Sequence, residues 1–295
     1  MSVLKSSIIY GLSKTITMSK IGVYAFTWIT IVLAGAITMV ILNPQNKPVK
    51  IMELNVSGGF WAANEKYEYY PDGTVFFKDF VRGRGNNSIL IPGSILDELL
   101  SRIGLLLEKY PNGLELKPTG GADYFTYNLT VYHKRDIISF YWTEVSEEPP
   151  KELVYLHSLI REINGFASNR QDVLFYLKTD RLAVRRGETL RVIAIAVNLG
   201  RKDFQYRSPT PCTPDFKTCI KTPSGSKIEL FPIGYDSGKI CIQVVQERVL
   251  KAGNMTQSEY EYTVDEEGIY VIEAYFPYAK WEDTRHYSSL KIIVS

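Results

Sequence analysis

Histidine is scarce in this chain: His133, His157 and His286 are the whole complement of 295 residues. They lie far apart and are predicted on a turn, a helix and a loop, so neither HExxH nor any paired-histidine zinc site can be built from them. The chain also lacks a CxxC pair, a G-x-S-x-G elbow, a phosphate-binding loop and a Rossmann fingerprint. A cupredoxin-like copper site needs two histidines and a cysteine near a weak methionine ligand. His286, the cysteines and Met255 leave such a site one histidine short. The acidic groups Glu147-Glu148 and Asp265-Glu266-Glu267 adjoin turns or proline, where solvated charge explains them more simply than acid–base chemistry. These absences point away from an enzyme and give no reason to expect a metal or cofactor. A basic field is missing too. Lys5, Lys14 and Lys20 precede every acidic residue, and without them 31 basic residues face 32 acidic ones, a net charge of −1. Such a body attracts no polyanion, which excludes nucleic acid as the expected partner. Arg82-Gly-Arg84, Arg185-Arg186 and Arg201-Lys202 read as solvated loop charges.

The most conspicuous stretch that is present is Ile21–Leu42, IGVYAFTWITIVLAGAITMVIL, an uncharged apolar run ending at Asn43-Pro44. At about 1.5 Å of rise per residue a helix of this length covers a hydrocarbon core roughly 30 Å thick. It predicts a single-pass membrane helix, with Ile21, Trp28, Leu33 and Leu42 marking the span. The three lysines before it outnumber Lys47 and Lys50 after it, which places the N-terminus in the cytoplasm. Sequons at Asn55, Asn86, Asn128 and Asn254 all follow the run and require an external surface. Cys212, Cys219 and Cys241 fall in one late stretch, as a disulfide in an oxidising compartment requires. A cleaved secretory signal would have a shorter apolar core and a small-residue cleavage site. A pilin-type leader cut near Lys20-Ile21-Gly22 is the other alternative.

The expected order is a cytoplasmic N-terminus over residues 1–20, the membrane helix over 21–42, a spacer over 43–50, an α+β domain over 51–164, a linker over 165–171 and an all-β immunoglobulin-like sandwich over 172–295. In the α+β domain, Ile51–Val56 alternates as a strand, and Lys66–Tyr70 and Thr74–Phe77 flank the turn Pro71-Asp72-Gly73. Arg82–Ser88 is predicted as a loop. Ser94 is placed to cap a helix whose stripe is Ile95, Leu96, Leu99, Leu100, Ile103, Leu106 and Leu107. Ala122–Tyr132 and Ile137–Trp142 form a predicted hairpin. A second helix opens at Pro149-Pro150, buries Leu153, Leu156, Leu159, Ile160 and Ile163, and closes at Asn164-Gly165. Antiparallel strands with two covering helices make this an α+β layer domain.

Three segments here carry a resemblance: Ser57-Gly58-Gly59-Phe60, Ala122-Asp123-Tyr124-Phe125-Thr126-Tyr127, and Pro150-x-x-Leu153-x-x-Leu156. Over Ile51–Ile163 the chain resembles the emfourin (protealysin inhibitor) family, whose members inhibit thermolysin-like metalloproteases. Lys78–Pro92 departs from the compact pattern of that family. The resemblance marks Gly58, Gly59, Phe60, Asp123 and Tyr127, and the same positions also read structurally, as a turn and a capped strand entry.

After the linker, short β-compatible segments recur at Val173–Lys178, Thr189–Asn198, Phe216–Lys221, Lys227–Phe231, Ile240–Glu247, Ser258–Val264, Tyr270–Phe276 and Ser289–Val294. Their regular spacing predicts an antiparallel sandwich. Val192–Val197 with Asn198-Leu-Gly200, Pro223-Ser-Gly-Ser226, Cys241–Leu250, Lys251-Ala-Gly253 and Glu267–Ala274 are similar to the family of the Bacillus subtilis intracellular proteinase inhibitor. That resemblance implies a sandwich and binding to a subtilisin-like protease, although an external location departs from the intracellular member. Cys219 is predicted mid-strand, whereas Cys212 lies in a proline-rich approach and Cys241 opens a strand, which favours a Cys212–Cys241 disulfide over one using Cys219.

The resulting expectation is a membrane-anchored extracellular protein that binds other proteins, as an inhibitor of proteases. The alternative is a structural or accessory subunit of a surface or membrane complex without inhibitory activity.

Overall fold

The computed structural model describes residues 49–295 apart from 61, 82–85, 122, 169–171, 237, 239 and 281–285. Alternation builds the first sheet. In β1 (Met52–Gly58) Met52, Leu54 and Val56 are buried while Glu53 and Asn55 face partly outward. β2 (Ala63–Tyr69) and β3 (Thr74–Asp79) form the predicted hairpin, in which Gly73 takes φ +84° and Asp72 accepts from the Thr74 amide at 2.9 Å. β4 (Asn87–Leu90) pairs with β3, so part of the segment expected as a loop is a strand. After helix α1 (Gly93–Lys109) come β5 (Leu114–Glu115), β6 (Phe125–His133) and β7 (Asp136–Thr143), and then helix α2 (Lys151–Ala167). The sheet order is β4-β3-β2-β1-β6-β7-β5, antiparallel except for β5 against β7.

Both helices begin beside a proline fixed near φ −60°. Pro92 and Pro150 occupy the capping positions and no side chain caps either helix, so Ser94 lies inside the first turn rather than at its cap. α2 also runs past Asn164-Gly165 to Ala167, where Ser168 Oγ donates to the Asn164 carbonyl at 2.8 Å.

The remaining strands are β8 (Val173–Thr179), β9 (Ala183–Val184), β10 (Thr189–Asn198), β11 (Phe204–Ser208), β12 (Lys217–Lys221), β13 (Lys227–Leu230), β14 (Gln246–Leu250), β15 (Met255–Thr263), β16 (Gly268–Phe276) and β17 (His286–Val294). They form a three-stranded sheet β15-β10-β8, a five-stranded sheet β13-β12-β16-β17-β9 and a β11-β14 ribbon, a β-sandwich-like arrangement. β8 and β10 are buried on both sides. Phe175, Val192, Ala194 and Ala196 share a core with Ile220, Ile272, Leu290 and Ile292, whereas Leu174, Tyr176, Ile195 and Val197 belong to the apolar cluster of the first sheet and the helices. Strands buried on both faces read as continuous apolar runs, and Val173-Leu-Phe-Tyr-Leu177 and Val192-Ile-Ala-Ile-Ala-Val197 are such runs.

A charged cluster fastens this contact. Arg102 of α1 is 1% exposed. Its guanidinium lies 3.7 Å from the Tyr155 ring centre, donates to Glu98 at 2.8 Å, and donates to the Tyr155 and Leu177 carbonyls at 2.7 Å each. Lys178 reaches the other Glu98 oxygen at 2.8 Å. Burial raises the Glu98 carboxyl, but Arg102 and Lys178 outweigh it and hold the group below the usual range.

The expected succession of membrane helix, α+β domain and separate sandwich is therefore corrected. The described chain is mainly strand, with two helices, and Val49–Ser295 closes into one compact unit. The physical reason lies in α1, α2, β8 and β10, which present apolar or paired charged groups to both halves and so hold the two cores together. Among the described residues no helix is long and apolar enough to cross a membrane. The run marked by Ile21, Trp28, Leu33 and Leu42 lies outside the described residues.

Candidate functional site

The positions singled out by the first resemblance meet at one end of the seven-stranded sheet. Gly58 and Gly59 adopt φ +91° and +71°, and the Gly59 amide donates to the Tyr124 carbonyl at 2.9 Å. A Cβ on Gly58 would stand 2.5 Å from that oxygen, and one on Gly59 would stand 2.8 Å from the Phe125 ring. Glycine is thus required twice, both for the left-handed backbone and for the close approach of β6. The turn so formed presents Phe60, 77% exposed. Asp123 is exposed nearby in sequence to Tyr124, and Tyr127 lies two residues into β6.

Beside this rim, β1, β2, β6 and α2 enclose an open cleft of about 450 Å³. Its walls include Phe125, Tyr127, His157, Glu65, Glu162 and Arg161. Tyr127 stacks on Trp142 at 5.1 Å, and the His157 ring meets both edge-on at 4.8 and 5.2 Å. Burial lowers the His157 pKa to about 4, assisted by Arg161 one turn along α2, so the ring is neutral at pH 7. Burial likewise raises the Tyr127 hydroxyl to about 12. Glu65 and Glu162 are buried; Tyr67 donates to Glu65 at 2.8 Å, and Arg161 lies 3.4 Å from Glu162. The cleft therefore offers an uncharged aromatic ledge next to carboxylates that already accept hydrogen bonds. It suits holding a side chain of another molecule.

The other predicted residues are dispersed. Asn86, Asn128 and Asn254 are exposed. Asn55 is half-buried in mid-sheet, directly across from Asn128, and donates to Glu53 at 3.1 Å. Cys212 and Cys241 form the disulfide, across a Cα–Cα distance of 6.1 Å, and Cys219 is free and buried on β12. His133 ends β6, paired with Asp136, and His286 opens β17, so neither lies on the turn or loop expected for it. Among the described residues there is no group of three or more His, Cys, Asp or Glu able to hold a metal ion.

In the sequence His157 reads as a lone helical histidine, and no motif singles out Trp142, Glu65 or Glu162. These residues come from α2, β7 and β2, and only the pairing of β1 with both β2 and β6 draws their strands together. The one signal was local: His157 sits on the helix beside Leu156 and Ile160, too close to the apolar stripe to be fully solvated.

No protein-family model matches the chain, and no curated protein matches it. Among solved structures, the CARDB domain of the PF1109 protein from Pyrococcus furiosus aligns at 13% identity and a TM-score of 0.26, covering 42% of this chain and 88% of that one. A β-glucosidase from Erythrobacter marinus aligns at 17% identity and 0.26, over 42% of this chain and 15% of the enzyme. The alkylpurine DNA glycosylase AlkC of Pseudomonas fluorescens aligns at 12% and 0.24, over 47% and 35%. Likenesses this slight carry no argument about fold or function.

Proposed function

We propose that this chain is a protein-binding protein of a membrane surface, with its body outside the cytoplasm, and that it binds and inhibits proteases. The observation that carries the reading is the rim of the cleft. An exposed aromatic side chain, Phe60, stands on a turn fixed by two obligatory glycines, next to an aromatic ledge with buried carboxylates behind it. Exposed, pre-set aromatic groups beside a pocket are what protein interfaces use as anchors. The rim is also where the positions shared with a protease-inhibitor family converge. The Cys212–Cys241 disulfide suits an oxidising compartment, and the exposed sequons at Asn86, Asn128 and Asn254 suit N-glycosylation there. The apolar run 21–42 supports attachment to the membrane.

Full-length protein in mild detergent is expected to inhibit thermolysin-like or subtilisin-like proteases at micromolar concentration or below. Phe60→Ala is expected to weaken any contact made through the rim about tenfold or more. If both protease classes stay fully active, the inhibitory reading falls. A stable complex with a non-protease, captured by crosslinking in intact cells, would then favour an accessory subunit. The exposed Phe231 and Ile233 on the sandwich are compatible with that role.

A further inference from the structure

The strand expected over Ile240–Glu247 forms only from Gln246 onward; residues 240–245 belong to no strand, helix or turn. The β11–β14 ladder ends at the pair Ser208 and Gln246. Carried further in the same register, it would set Pro209 opposite Val245 and Pro211 opposite Gln243. Proline has no amide hydrogen to donate, so the ladder stops there and the segment is left without a strand partner. Its composition is nevertheless that of a buried strand, Ile-Cys-Ile-Gln-Val-Val. Ile240 is 97% exposed, Ile242 67%, Val244 55% and Val245 50%. The segment does not hang loose. Cys241 ties its start to Cys212, and β14 holds its end against β11.

We propose that Ile240–Val245 is an inhibitory strand, taken up by the substrate cleft of an endopeptidase that selects branched aliphatic side chains. The inference rests on the protease-inhibitor reading and places the decisive contact on the sandwich. Three features select this occupant. A lipid surface has no donors or acceptors for the unpaired backbone, whereas an extended-peptide cleft supplies both. The flat edge of a second copy would satisfy the backbone but leave both faces of the strand in water. In an extended conformation Ile242 and Val244 fall on one side of the chain and Val245 on the other, so the occupant must offer pockets on both sides. The third feature is the double tether. Hydrolysis of a peptide bond between Ile242 and Val245 adds water across it and yields a carboxylate and an amine. The first end stays bound through Cys241 and the second through β14, so neither product can diffuse from the cleft. Holding the strand in place beforehand also lowers the entropy lost on binding.

The test uses full-length protein in detergent against an elastase-like, a subtilisin-like and a thermolysin-like endopeptidase. The unaltered chain is expected to inhibit at least one of them. The Ile242→Lys, Val244→Lys double variant is expected to raise the inhibition constant about 100-fold with an unchanged melting temperature, since both side chains are in solvent. Amide exchange at residues 242–245 is expected to slow in the complex. Unchanged inhibition by the double variant overturns this inference and leaves the inhibitor reading standing on the rim of the cleft. Rapid cleavage within 242–245 with release of active protease overturns the inhibitory role of the segment. If the unaltered chain inhibits none of the three, the inference and the reading beneath it fail together.

Discussion

The outer face of the seven-stranded sheet and the ribbon end of the sandwich meet solvent in opposite ways. Across the middle of the sheet, Lys50 and Lys66 reach Glu53 at 2.7 and 2.9 Å, and Lys66 and Lys78 reach Glu68 at 3.3 and 3.9 Å. Glu53, Asn55, Lys66 and Asn128 line the middle of that face, its charges are matched by cross-strand neighbours, and Phe76, opposite Glu68, is its partly exposed apolar member. At the ribbon end, Ile240, Ile242, Val244, Val245 and Val249 are half exposed or more. Soluble surfaces seldom leave such a series of β-branched residues beside an unpaired strand unless another chain covers them. The sheet face is charged and paired; the ribbon end leaves apolar groups exposed.

The two regions differ in surface but share an interior, and the largest expected effect tests that sharing. Removing one partner of a buried charged pair strands the other, which costs roughly 3–5 kcal/mol. Arg102→Ala leaves Glu98 with Lys178 and the Tyr155 hydroxyl, and leaves the Leu177 carbonyl without this donor. Chemical denaturation of the variant is expected to shift to lower midpoint by that amount while remaining a single transition. Two separated transitions in the unaltered protein would break the comparison, by making the sheet and the sandwich independent bodies.

The next effect is confined to the sandwich. Replacing Cys212 and Cys241 with serine opens a loop of 29 residues, for which the chain-entropy model gives about 3–4 kcal/mol. The same substitution is expected to abolish slow exchange of residues 242–245 in any protease complex while leaving the cleft rim intact. A loss of rim-dependent binding in this variant would show that the two surfaces are coupled.

Individual hairpins, both helices and the disulfide were legible in residue patterns, the overall fold was not, and the failures share one cause. Hairpins were readable wherever alternation met a turn residue with a stated φ, as at Gly73 between β2 and β3. The disulfide was readable because Cys219 falls inside a strand whose alternation buries it. What could not be read was anything made by two distant segments. Glu98 and Arg102, four residues apart on a helix, look like a solvent-facing ion pair until Tyr155 and Leu177 cover them. His157, Trp142, Glu65 and Glu162 have no common sequence interval. The missing strand at 240–245 follows from two prolines on its partner, which local propensity does not weigh. The runs in β8 and β10 did carry the signal of double-sided burial, and its consequence is that these strands contribute to both apolar clusters and so join the two expected domains.

Acid titration separates the cleft from the sheet face, with a moderate effect first. The folded pKa of His157 is lowered to about 4 from 6.5. Below 6.5 the unfolded chain takes up a proton that the folded chain refuses, so stability is full above 6.5 and falls as pH drops toward 4. The full difference corresponds to about 3 kcal/mol at 1.36 kcal/mol per pH unit, and the loss is less in practice because the residue is only half-buried at the mouth of the cleft. His157→Phe keeps the aromatic contact and is expected to reduce the fall in stability between pH 6.5 and 4, leaving the share of His286, which burial also lowers. A slope unchanged by this substitution would mean that His157 is not the group that titrates there.

The smallest effect lies at lower pH and belongs to the charged face. Burial raises Glu53, but hydrogen bonds from Lys50, Lys66 and Asn55 overcome it and hold the carboxyl at about 2, against 4.5. The sign follows from the depressed value: the stabilisation is present above about pH 4.5 and is lost as pH falls through the interval down to 2. Lys50 and Lys66 remain partly in water, so screening reduces the contribution to about 1 kcal/mol or less. Glu68 and Glu98 are also held below the usual range. Glu53→Gln is therefore expected to remove only part of the acid-side slope below pH 4.5, to leave the His157 interval untouched, and to lose most of its effect in high salt. An effect of several kcal/mol that resists salt would place Glu53 among groups as dry as Arg102, and the contrast between a solvent-finished sheet face and a buried joint would no longer hold.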